Sequence, residues 1–192
     1  DKLQEAAYAM LSPERRQEIH LRIGRYRLEH DTPEEIAENA FDIARQFNLG
    51  LDRITDKDEK IRIARLNLQA AIKAKQSTAF KSAASLLSHA VFILGPGSWQ
   101  THHDLTFEIY HQKAECEFSS ALLHDCEQTV NTALANSRTD DEKVAAYQIL
   151  LRLLFQLSRH YESLDVTRDA LKMLGVSLPK HIKKRHIAWQ FS

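Results

Sequence analysis

Glu108, His111 and Glu115 stand three and four residues apart in the run EIYHQKAE. On a helix this spacing puts an imidazole and two carboxylates on one face, the form of one half of a di-metal centre in a bundle. The other half would be a second His with Glu three residues ahead of it. The chain has ten His residues, and only His111 is preceded in that way. The group is therefore read as a solvated helix face, and no metal site is expected. His102–His103 falls near a helix start without a partner one turn on, and is read in the same way. Cys116 and Cys126, the only two cysteines, flank a predicted helix joint. A redox pair there would need Cα atoms within about 7 Å. Both also suit core packing, where a thiol behaves as a small apolar group. Lys180, Lys183, Lys184 and Arg185, with His181 and His186, form a basic cluster. With no aromatic residues interleaved to stack bases, it reads as the polar face of a helix whose Ile182, Ile187, Trp189 and Phe191 pack inward.

No phosphate-cradling G-x-x-x-x-G-K-[ST] loop, H-R-D catalytic loop or phospho-acceptor His box occurs, and no nucleophile–base pair stands out. The expectation is a non-catalytic chain without a cofactor. The elements that carry these residues are those of an ordinary globular protein. Of 192 residues, 43% are hydrophobic and 27% charged, and 26 basic side chains balance 26 acidic ones. Zero net charge gives no general pull toward nucleic acid. Two thiols make no disulfide framework, and no apolar run reaches the roughly 20 residues that span a membrane. With no signal segment at the start, a cytoplasmic setting is expected.

Five Gly and four Pro are few, and they punctuate helices. Ser12–Pro13–Glu14 and Thr32–Pro33–Glu34–Glu35 give a cap, a proline at the first helical position and acids in the first turn. Thr55–Asp56, Ser77–Thr78, Ser98 and Thr139–Asp140 are further starts. Asn48–Leu49–Gly50, Gly95–Pro96–Gly97 and Gly175 are stops. These marks predict helices over 13–30, 33–48, 56–75, 78–94, 99–120, 123–136, 140–158 and 161–174, with a ninth after Pro179. In the first helix, Ile19, Leu21 and Ile23 alternate with polar residues and Gly24 as in a strand, but the capping favours helix, with Gly24 as a site of close approach. The helices pair as 12–50, 55–95, 98–137 and 139–176 within one helical-repeat domain covering 1–192, and 179–192 opens a further helix.

Aligning the second helix of each pair yields a packing template: a small residue, a large apolar residue four later, and Ala three later. Ala37–Phe41–Ala44, Ala83–Leu87–Ala90 and Cys126–Val130–Ala133 fit it, and Ser163–Thr167–Ala170 fits with a polar middle. The final Ala residues recur at intervals of 46, 43 and 37 residues, longer than the tetratricopeptide period of about 34. The helix over 140–158 carries Val144, Tyr147, Leu150, Leu151, Leu153, Leu154, Phe155 and Leu157, and so should be sandwiched between neighbours. The fold class expected is all-α, an α-solenoid of tetratricopeptide-like antiparallel helix pairs.

The run SWQTHHDLTFEIYHQKAECEF from Ser98 resembles the helical region of large multidomain signalling proteins. So do HLRIGRYRLEH at 20–30, QFNLGLDRITDKDEKIRIARLNLQAAIKAKQSTAF at 46–80 and ALKMLGVSLP at 170–179. In that family a Ser/Thr-kinase-like domain and a STAND-type P-loop ATPase precede a tetratricopeptide-like superhelix. GAF and sensor histidine kinase modules often follow. The resemblance implies a fragment of a longer chain acting as an interaction and coupling module. Its partners would be adjoining domains of the parent or a peptide in the concave groove; the composition separately argues for no membrane partner and disfavours nucleic acid. The alternative is a small-ligand sensor domain, with Asn67, Gln69, His111, Gln112 and Gln148 as groove residues. Leu3, Ala6, Ala7, Tyr8, Met10 and Leu11 at one end, and Ile187, Trp189 and Phe191 at the other, read as apolar edges that meet adjoining parts of the parent.

Overall fold

The computed structural model describes residues 8–176. The further helix after Pro179, the basic cluster, the apolar group 187–191 and residues 3–7 lie outside them. The described chain runs α1 (Pro13–His30), a short α2 (Pro33–Glu38), α3 (Ala40–Asn48), a 3-10 turn (Leu51–Arg53), α4 (Lys57–Gln76), α5 (Phe80–Leu94), a single-turn α6 (Ser98–Thr101), α7 (His103–Ser119), α8 (Leu123–Asn136), α9 (Asp140–Gln156) and α10 (His160–Met173). No strand occurs among the described residues.

The starts follow their capping chemistry. Ser12 accepts from the Arg15 amide with Pro13 at the first helical position, and Asp56 accepts from the Glu59 amide. Thr32 with Glu35, and Thr139 with Glu142, form complete capping boxes that satisfy otherwise orphaned amides from both sides. The strand-like alternation in α1 is overridden, and Ser12 and Pro13 set a continuous helix.

Three joints share one geometry that the sequence does not advertise. Thr78, Ala121 and Ser158 adopt φ of 58°, 60° and 57°. The next residue in each case, Ala79, Leu122 or Arg159, donates its amide to the carbonyl five back at 2.9 Å. This is the left-handed helix ending usually given to glycine, here with a Cβ at all three sites. As a result α5 starts at Phe80 without a side-chain cap, and Ser77–Thr78 close α4 instead.

Two predicted helices are broken. The helix over 33–48 divides at Asn39, which has φ −100° and ψ 16°. The helix over 99–120 divides at His102, with φ −140° and ψ 52°. The second break turns Trp99 inward beside Tyr110, with ring centroids 4.9 Å apart, in a cluster with Phe107 and Ala133. Arg138 holds it there by donating to the Trp99 carbonyl at 2.7 Å.

The break at Asn39 also corrects the template in the first pair. Ala37 and Phe41 face outward, and Phe41 is 46% exposed. The inward positions are Ala40, Ile43, Ala44 and Phe47, each with at most 1% of its surface accessible. In this register Ala40, Ala83 and Cys126 recur 43 residues apart, as do Ile43, Leu86 and Thr129, and Ala44, Leu87 and Val130. All nine are buried. Phe47 then stands where Ala90 and Ala133 stand in the next pairs, and Gly24 on α1 makes the room. A Cβ on Gly24 would lie 2.8 Å from the Phe47 ring. In the last pair Ser163 is buried and Ala170 half-buried.

The pairs stack in series around a core that passes from α1 to α10. The first helices form one row, in which α7 packs directly on both α4 and α9. The second helices α3, α5 and α8 have little direct contact with one another. A stack whose one row touches while the other splays curves toward the touching row, so the first helices line its inner side. The arrangement is all-α and solenoid-like. α9 is less enclosed than its composition suggests. Ile149, Leu150, Leu153 and Leu154 are buried, but Phe155 is 69% exposed and Leu157 is also exposed.

Candidate functional site

The inner row carries a polar seam centred on α7. Lys75, in the last turn of α4, donates to Gln112 Oε1 at 2.8 Å and pairs with Glu115. Arg152 of α9 approaches Glu115 from the other side at 3.5 Å and lies over the Phe118 ring, 5.2 Å from its centroid. Gln112 in turn donates to Glu108 at 2.9 Å. One carboxylate thus joins the cations of the pairs before and after its own, linking three successive pairs. Burial pushes the Glu115 carboxyl up, but the Lys75 hydrogen bond and the charges of Lys75, His111 and Arg152 outweigh it and hold it below the ordinary value.

Two more links tie α7 to its neighbours. Lys113 pairs with buried Glu117 and donates to Thr129 of α8 at 2.9 Å. His103 Nε2 meets both Glu142 oxygens of α9 at 2.9 and 3.0 Å. Glu142 is desolvated, yet the Arg138 and Thr139 amides and His103 keep its carboxyl below the ordinary value. At the outer end of the seam Phe118, Leu151, Arg152, Phe155 and Gln156 line a cleft of about 540 Å³. Its lining is mostly apolar, with Arg152 and Gln156 as its polar members.

The groups singled out by spacing take these places. Glu108, His111 and Glu115 share a face of α7, where Glu115 is committed to Lys75 and Arg152. No cluster of three or more His, Cys, Asp or Glu side chains with metal-binding geometry occurs among the described residues. Cys116 and Cys126 are free thiols in separate parts of the core. Burial pushes Cys116 to about 11 and Cys126 to about 12, so both stay protonated at neutral pH. Cys126 Sγ donates to the Ala114 carbonyl at 3.3 Å, which ties α8 to α7.

Of the groove residues proposed for a small ligand, Asn67 is fully buried and exchanges hydrogen bonds with Asn48 at 2.8 and 3.1 Å. It fastens α4 to α3 and faces no groove. Gln69 and Gln148 are exposed, and only His111 and Gln112 are half-buried on the inner row. The residues missed by sequence reasoning are Lys75 and Arg152. They lie 40 and 37 residues from Glu115, close to one repeat, so alignment of the first helices is the signal that locates them.

No helix of the described residues is long and apolar enough to cross a membrane. No family model matches the chain, and no solved structure matches it. Among curated proteins the chain is similar to hybrid signal transduction histidine kinase G of Dictyostelium discoideum. The two are 27% identical over 204 aligned positions, which cover 93% of this chain and 6% of that protein. The chain therefore spans a small part of the length of its relative, and the likeness is to a signalling protein.

Proposed function

We propose that the chain is a non-catalytic interaction and coupling module, a tetratricopeptide-like superhelix within a larger signal-transduction protein. The observation that carries this reading is the seam, in which Glu115 joins Lys75 and Arg152 across three successive pairs. A displacement of α4 changes the lattice that holds α7, and through it α9, so a contact at one end is felt along the row. The distant likeness to a signalling histidine kinase supports placing such a module beside catalytic domains of a parent chain. A STAND-type ATPase is the neighbour proposed on one side and sensor modules on the other, in the cytoplasm. The exposed apolar side chains at the two ends of the stack, Ile23 and Tyr26 on α1 and Tyr161 and Leu164 on α10, suit docking to those neighbours. Asn67 spends its polar atoms inside the stack, which argues against the small-ligand sensor reading.

Cross-linking of the intact parent protein, read by mass spectrometry, tests the proposal. Bridges from lysines near the two ends of the stack, Lys57 or Lys172, to flanking domains are expected. Cross-links confined to this chain would count against it. The purified chain should also hydrolyse no ATP above buffer, and turnover that survives repurification would contradict a non-catalytic role.

A further inference from the structure

The splayed outer row leaves a cleft between α3 and α5. It has a volume of about 410 Å³, with Phe41, Leu49 and Leu86 on its apolar side and Arg45 and Lys81 on opposite walls. Phe41 and Leu49, about two turns apart on the α3 wall, are 46% and 45% exposed, unusual for two large apolar side chains on one wall of a groove. No carboxylate lines the cleft. Among the described residues neither Arg45 nor Lys81 enters an ion pair, whereas Lys75 and Arg152 at the inner-row seam both meet Glu115. His89, also on its lining, has a buried Nδ1 without a hydrogen-bond partner.

The 43-residue register supplies an internal comparison. The positions of Phe41, Arg45 and Leu49 are occupied by Ala84, Ser88 and Phe92 one repeat on, and by Glu127, Asn131 and Ala135 after that. Lys81 corresponds to His124. The combination of an apolar floor and two unpaired cations therefore occurs at this one joint of the three, and it is no by-product of repeat packing.

We infer that the α3–α5 cleft is a docking site for a short acidic segment of a partner protein. One large apolar side chain of that segment packs against Phe41 and Leu49 on the α3 wall and Leu86 on the α5 wall, and flanking carboxylates meet Arg45 and Lys81. Charge sign selects the partner. A groove with cations on both walls and no carboxylate repels a basic segment and attracts an acidic one. The apolar floor supplies the anchor, as in other grooves between helices. The site is on the opposite row from the seam, so it does not depend on the coupling reading.

Fluorescence anisotropy of the 192-residue chain tests this. The probe is a fluorescein-labelled synthetic peptide with a central Leu-Phe pair flanked by aspartates. The controls are the same peptide with lysines for aspartates, the same peptide with alanines for the Leu-Phe pair, and laurate as a competitor. Saturable binding of the acidic peptide is expected, with both peptide controls weaker by about tenfold or more. Combined R45E and K81E should weaken the acidic peptide by at least that factor, as should Phe41→Ser. Lys172→Glu on α10 should leave it unchanged. Circular dichroism verifies that each variant is folded, which is expected because all the altered side chains are exposed. Equal binding of acidic and basic peptides, or full affinity in the charge-reversed variant, overturns the inference. So does absence of saturable binding of the acidic peptide, whether or not laurate binds at the cleft.

Discussion

The two rows of the stack use charge in opposite ways. On the inner row Lys75, Glu115 and Arg152 neutralise one another across three pairs, Lys113 meets Glu117 one turn on along α7, and His103 meets Glu142 of α9. On the outer row Arg45 and Lys81 face a cleft with no carboxylate in its lining. The difference follows from curvature. Where helices touch, a lone charge would be partly desolvated and must be paired, whereas across a splayed joint water solvates it and leaves it available. At the seam the charge is spent inside the stack, and at the α3–α5 cleft it is left open to solvent.

The largest expected effect separates buried from exposed positions of the second helices. Leu87→Ala should cost roughly 2–5 kcal/mol, because Leu87 is fully buried and α5 cannot collapse onto the space. Phe41→Ala, at the position that a simple template makes equivalent, should cost about 0.5 kcal/mol or less. Urea unfolding of the two variants side by side checks this, and similar losses would restore the uncorrected register. Gly24→Ala comes next. Its Cβ would press on the Phe47 ring, at a cost of about 1–3 kcal/mol. Phe47→Leu should recover part of that loss in the double variant, and strict additivity would show that the two do not touch.

Smaller again is the seam. Lys75→Met should lower stability by roughly 1 kcal/mol or less, since the pair is about a quarter to a third exposed and solvent screens it. The sign of its pH dependence is fixed. The carboxyls of Glu115 and Glu142 are held below their ordinary value of 4.5 in the folded state. Their contribution is therefore present above 4.5 and is lost as pH falls through the depressed folded-state values. Glu115→Gln combined with Glu142→Gln should flatten the acid limb of stability against pH, measured by thermal melts. An unchanged limb would mean that neither carboxylate is specially held.

The smallest effect tests the joints. Ala121→Gly relieves a left-handed residue of a strain of about 1–2 kcal/mol, but adds the freedom of glycine to the unfolded chain. The net gain should be below about 1 kcal/mol, and a loss would mean that the joint is not strained.

Helix ends were legible where polar side chains make them. Ser12, Thr32, Asp56 and Thr139 each mark a start in sequence and cap one in space. The joints at Thr78, Ala121 and Ser158 were hidden because no glycine announces the positive φ. The register slipped in the first pair because Ala44 satisfies both frames. Only the placement of Phe47 decides between them, and that depends on Gly24 in a different helix. The seam was illegible for a related reason. Its members lie about a repeat apart on first helices, whose apolar pattern is less regular than that of the second helices, and a charge does not reveal its partner until the helices are laid side by side.

Hydrogen exchange, read peptide by peptide in the Glu115→Ala variant, tests most directly whether the inner row couples the pairs. Protection should fall in the last turns of α4 and in α9 around Arg152 as well as in α7, because one carboxylate holds all three. The outer-row reversal of Arg45 and Lys81 should leave every helix as protected as before. A loss confined to α7, with α4 and α9 unchanged, would contradict coupling through the seam.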